Sequence, residues 1–157
     1  MSCGVFGRTS SCDFMDIHPS IVCWNVRGLN SPAKRKAVKE FLDTTKASLV
    51  CLQETKMDVI DSFVVMQCMG PLFDGFAYLP ALETRGGILL AWNSLVLDVQ
   101  NLQMDLNSLT GMVCPRVGVV WWITVVYGPQ GDARKNYLSR RISAEKDTLP
   151  RTVDGAW

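Results

Sequence analysis

Leu49-Val50-Cys51-Leu52-Gln53-Glu54-Thr55-Lys56 sets four apolar residues directly against four polar ones. So short an apolar run predicts a buried strand rather than a helix. Its abrupt polar end puts functional groups at the carboxyl edge of a sheet, where open α/β sheets bind their ligands. Glu54 is therefore the first candidate for chemistry. Upstream, Ile21-Val22-Cys23-Trp24-Asn25-Val26 has the same form and delivers Asn25 and Arg27 at its end. Between the two runs, Ser31 is placed to cap a helix and Pro32 to fill its first position. Ala33, Ala37, Val38, Phe41 and Leu42 then recur at helical spacing. Two buried strands flanking one helix make a βαβ unit, which predicts a right-handed crossover and a converging site. The other helix face carries Lys34, Arg35, Lys36 and Lys39 and is read first as solvated, with phosphate contact as its alternative.

Downstream, Asp58 is expected to cap a second helix running to Met69 and ended by Gly70-Pro71. Strands are expected over Gly75 to Leu82, Gly87 to Trp92, Leu95 to Met104, Leu109 to Cys114 and Val117 to Tyr127. The alternation slips phase near Gln100-Asn101, which predicts a bulge. Asp132 to Thr148 is expected to be a further helix, with Leu138 and Ile142 on one side. Residues 1–19 lack periodicity and read as a flexible leader ahead of a domain over 20–157.

A chain of 157 residues suits one domain, or one half of a larger one. With 48% apolar and 20% charged residues it has material for a core, which excludes a disordered chain. A net charge of +1 does not announce nucleic acid, so any phosphate-directed function must come from local arrangement. Six cysteines without a Cys-x-x-Cys pair, and a single histidine, leave little for a zinc site. They read as reduced structural thiols of an intracellular protein, cytoplasmic or nuclear. No secretory h-region is visible, and the longest apolar run, Val117 to Val126, falls well short of the roughly 20 residues of a membrane span.

Magnesium takes hard oxygen ligands, keeps several waters, and needs only one or two protein carboxylates beside a substrate phosphate. Glu54 offers such a carboxylate, Asn25 a neutral amide, and Tyr127, before the turn Gly128-Pro129, a phenol at the end of a third apolar strand. Together they make a plausible phosphodiester site, although each residue type is common in structural roles.

Four stretches carry a more specific signal. Trp24-Asn25-Val26-Arg27-Gly28-Leu29, Leu52-Gln53-Glu54-Thr55-Lys56, Gly86-Gly87-Ile88 and Thr124-Val125-Val126-Tyr127-Gly128-Pro129 occur in an order and spacing that resembles the endonuclease/exonuclease/phosphatase superfamily. The wording is most similar to the endonuclease domain of plant non-LTR retrotransposons, relatives of the apurinic endonucleases. The resemblance implies a four-layer α/β sandwich and magnesium-dependent hydrolysis of phosphate esters, with DNA as partner. It assigns Glu54 as metal ligand, Asn25 as a second holder of the metal and its network, and Tyr127 as the contact to the scissile phosphate. Gln53 and Lys56 would support them.

Two departures follow. Arg27 stands where apurinic endonucleases carry an Asp that helps with metal, an Asp that the retrotransposon branch lacks too. The downstream Gly-Asp-Phe-Asn and Ser-Asp-His motifs are not found; Gly155-Ala156-Trp157 matches only the lead into the first. His18 precedes the first strand and cannot replace the missing histidine. The expectation is the N-terminal half of the sandwich, truncated and inactive on its own. The alternatives are a non-catalytic interaction module and a phosphatase of the same fold. Such a half would hold one sheet, its helices and little of the second sheet. Trp92, Trp121, Trp122 and Val119 would then line a bare apolar face through which the chain could self-associate.

Overall fold

A computed structural model of the chain describes residues 19–82 and 86–128. The leader up to His18 and the helix expected over Asp132 to Thr148 lie outside the described residues. The elements run β1 (Ile21–Asn25), α1 (Pro32–Thr45), β2 (Leu49–Gln53), α2 (Ser62–Met69), β3 (Gly75–Leu79), β4 (Ile88–Trp92), β5 (Leu97–Met104), β6 (Ser108–Pro115) and β7 (Trp121–Val126). They form a mixed four-stranded sheet in the order β1-β2-β4-β3 and an antiparallel three-stranded sheet in the order β5-β6-β7. β1 and β2 pair in parallel, Asn25 opposite Gln53, as the βαβ reading requires. β4 returns antiparallel between β2 and β3.

The layers follow from side-chain alternation. On one face of the first sheet, Val50, Leu52, Leu89 and Ala91 pack against Val38 and Leu42 of α1 and Val65, Cys68 and Met69 of α2. On the other, Leu49, Cys51, Ala77, Leu79, Ile88, Leu90 and Trp92 meet Leu97, Val99, Leu109, Val113 and Val125 of the second sheet. Burying each of the larger side chains contributes roughly 2 kcal/mol. The described residues thus form three layers, helices, sheet and sheet, consistent with an α/β sandwich.

The local signals explain the helix ends. Ser31 Oγ accepts the Lys34 N–H at 3.3 Å, and α1 stops at Lys46 in the left-handed conformation. The second helix corrects the sequence reading, because its cap is Asp61, which accepts the Val64 N–H at 2.9 Å. Asp58 does not start it: its carboxylate accepts the N–H of the adjacent Val59 at 3.0 Å, and Ile60 is drawn into the helix-side core. The expected bulge lies where the β5–β6 register shifts between Gln100 and Gln103, with Asn101 at φ 50°.

Three further expectations are corrected. β1 is not buried on both faces: Ile21, Cys23 and Asn25 are exposed, because among the described residues β1 is an edge strand beyond the cover of the second sheet. The second sheet is already substantial, with three strands closing over β2, β4 and β3. Trp92 is therefore buried rather than part of a bare face, its indole lying over Gly75, where an added Cβ would come within 2.2 Å of the ring. Of that expected face, exposure is confined to Trp122 and the Val117, Val119 and Val120 segment before β7, while Trp121 is half-buried against the core.

Candidate active site

The parallel pairing of β1 with β2 ends both strands at one edge, and there the chain makes an unusual set of turns. Arg27, Glu54 and Lys56 all have left-handed backbone, at φ 51°, 55° and 53°. Each such conformation costs a non-glycine residue about 1–2 kcal/mol, and strain of this kind concentrates where side chains are held for function. Main-chain bonds fix the turns. The Leu29 N–H reaches the Thr55 carbonyl at 2.8 Å, the Lys56 N–H the Gly86 carbonyl at 2.6 Å, and the Val26 N–H the Gln53 carbonyl at 3.0 Å.

Asn25 Nδ2 donates to Glu54 Oε1 at 2.9 Å, and Asn25 Oδ1 accepts the Arg27 N–H at 3.2 Å. The amide orientation is forced, since a carboxylate only accepts and a backbone N–H only donates. Asn25 thus ties the Glu54 carboxylate to the loop after β1. Tyr127 stands on the far side of Gly86: a Cβ there would lie 2.9 Å from both Glu54 Cγ and Tyr127 Cε2. The Tyr127 N–H is bound to the Asn107 carbonyl at 2.8 Å, which sets the tyrosine at the end of β7. Asn25, Glu54 and Tyr127 therefore come together from three strand ends.

Gln53 does not face this group directly. Its Nε2 donates to the Val126 carbonyl at 3.0 Å, lashing the first sheet to the second immediately before Tyr127. Lys56 is exposed beside Gly28, where Lys34 also arrives, its Nζ donating to the Arg27 carbonyl at 2.8 Å. Among the described residues the ion pairs are Lys36–Glu40 and Lys39–Asp43, so Lys34 and Lys56, which meet beside Gly28, and the exposed Arg27 have no carboxylate salt bridge there.

Sequence reasoning missed the part played by three residues. Gly86 makes the space in which Glu54 and Tyr127 approach. Thr55 is fully buried and directs Oγ1 toward the Gly86 carbonyl at 3.5 Å. Lys34 turns back from α1 onto the loop after β1. The paired glycines Gly86-Gly87 are the only sequence signal for the first.

The donor set is a hard one. No group of three or more histidine, cysteine, aspartate or glutamate side chains gathers anywhere among the described residues. One carboxylate with a neighbouring amide suits magnesium, which keeps most of its water, and does not suit zinc.

No known family model matches the chain, and no curated protein sequence does. A solved structure does match: the crystal structure of AP endonuclease LMAP from Leishmania major, at TM-score 0.53 and 22% sequence identity. The match covers 88% of this chain and 51% of that one, so the chain spans about half the length of its structural neighbour. The likeness is one of fold, a layered α/β arrangement.

Proposed function

We propose that this chain carries the metal-holding part of a magnesium-dependent phosphodiesterase site of the apurinic-endonuclease type, directed at DNA as in non-LTR retrotransposon endonucleases. The observation that carries the reading is the Asn25–Glu54 hydrogen bond at the shared carboxyl end of two parallel strands, with Tyr127 packed alongside. Glu54, seconded by Asn25, would hold the ion, which supplies charge neutralisation to a phosphate and a water of lowered pKa. Asn25 fixes the rotamer of the carboxylate. Tyr127 would donate its phenol hydrogen to a phosphate oxygen. Gln53 holds the strand that brings Tyr127 into range, and Arg27, Lys34 and Lys56 offer positive charge to a sugar-phosphate backbone.

With Glu54 given to the ion, neither Asn25 nor Tyr127 suits the role of general base for the attacking water, so the chain by itself is proposed to bind magnesium without turning over DNA. Calorimetric titration with magnesium should show weak binding that Glu54→Gln removes. At a magnesium concentration equal to Kd the ion adds only about 0.4 kcal/mol of stability. Supercoiled plasmid should stay unnicked beyond a Glu54→Ala control. Glu54-dependent nicking would overturn the inactive reading, and magnesium binding untouched by Glu54→Gln would remove the site assignment altogether.

A second reading, an interaction module that associates through its surface, is favoured by the exposed Val119, Val120 and Trp122.

A further inference from the structure

Cys23 and Cys51 are direct partners in the parallel β1–β2 ladder. Registered residues of neighbouring strands point to the same side of a sheet. Here that side is the one facing the second sheet, since Cys51 belongs to the core between the sheets while Val22 and Trp24 pack with the helices. What sets the pair apart from an ordinary buried one is its cover. The second sheet closes over Cys51, which is fully buried, yet stops short of the edge strand, so Cys23 is exposed. Cys68 lies on the helix side, and Cys114 in β6, so neither joins the pair.

We propose that Cys23 and Cys51 form a two-thiol clamp that captures a monosubstituted trivalent arsenical at the open edge of the sandwich. Two sulfur ligands suit such a centre. Arsenic bearing one organic group is closed by two thiolates, whereas structural zinc requires four ligands. The exposed Cys23 reacts first, and Cys51 then closes the ring at the high effective concentration that adjacent strands impose. Burial, and then its neighbour Cys23, push the Cys51 thiol well above the usual thiol range. The closing step does not need a free thiolate, because the proton leaves with oxygen already on arsenic. With phenylarsine oxide, two As–S bonds form, the arsenic–oxygen bond breaks, and the oxygen departs with both thiol protons as one water. Arsenic stays trivalent and no oxidant is consumed.

The test treats the reduced full chain with equimolar phenylarsine oxide, washes it with excess monothiol, alkylates free thiols and maps the peptides by mass spectrometry. The expected result is one retained arsenical, with Cys23 and Cys51 protected from alkylation and released together by a dithiol. Cys23→Ser, at an exposed edge position that tolerates the change, should lose monothiol-resistant retention, and Cys114→Ser should keep it. Cys51→Ala repeats the test from the buried side, with circular dichroism confirming the fold. Retention unchanged in Cys23→Ser, protection of any other thiol pair, or no retention by the unmodified chain after the wash would each overturn the clamp. None of these outcomes depends on magnesium or DNA, so the phosphodiesterase reading stands or falls separately.

Discussion

Gly86→Ala isolates the packing on which the candidate site rests. The added methyl would lie 2.9 Å from Glu54 Cγ, 2.9 Å from Tyr127 Cε2 and 3.0 Å from Glu54 Cα. The tyrosine ring can swing; the Glu54 backbone cannot, since it sits at φ 55° between two bonded turns. Overpacking of this kind costs about 1–3 kcal/mol. The Lys56 N–H to Gly86 carbonyl bond, at 2.6 Å, would be strained in addition, and a bond of this class is worth about 1 kcal/mol. Taking a total of about 2 kcal/mol, a domain of this size should melt roughly 4–8 °C lower. Thermal unfolding followed by circular dichroism reads the shift. Gly128→Ala is the control: a Cβ there meets nothing within 4 Å, so the change should stay within about 0.5 kcal/mol. Pairing Gly86→Ala with Tyr127→Ala removes one of the two clashing groups, so the double variant should lose less than the sum of the singles. An unshifted melting point for Gly86→Ala, or strict additivity with Tyr127→Ala, would refute the contact and with it the proximity of Tyr127 to Glu54.

Two other outcomes follow from single features. Asp74 is held below the usual carboxylate range first by the Ser94 hydroxyl and then by the Ser94 N–H, so its stabilisation is present above that range and lost as pH falls through the lowered value. Ser94→Ala should therefore destabilise the chain at neutral pH and cease to matter in strong acid; a penalty that persists unchanged in acid would sink the assignment. Trp122, exposed on the outer side of β7, should contribute to self-association, so Trp122→Lys should lower the apparent mass of the chain in sedimentation at high concentration. Equal masses for the two proteins would leave that face without a role in assembly.

Features written in short stretches of chain are legible from the residues alone. The apolar run ending in Gln53-Glu54 declares a strand and its functional end, Ser31-Pro32 declares a helix start, and the phase slip at Gln100-Asn101 declares a bulge. Each depends on backbone chemistry within a few residues, which sequence records directly. Asp58 and Asp61 show where local chemistry runs out. Both can cap a helix, and the choice between them goes with a tertiary contact, the burial of Ile60 in the helix-side core.

The sequence by itself indicated the order of the described strands and helices, the parallel β1–β2 unit and the residues Asn25, Glu54 and Tyr127 that meet at its end, though not the starts of α2 and β7. Tertiary structure alone decided which faces are covered. Alternation says that a strand has two faces, but not what lies on them. Trp92 is buried because three strands of a second sheet close over β4, and Cys23 is exposed because the same sheet stops before β1. The space at Gly86 was decided in the same way. A missing side chain is visible in sequence, whereas the two side chains that need its room arrive from residues 32 positions before it and 41 after it.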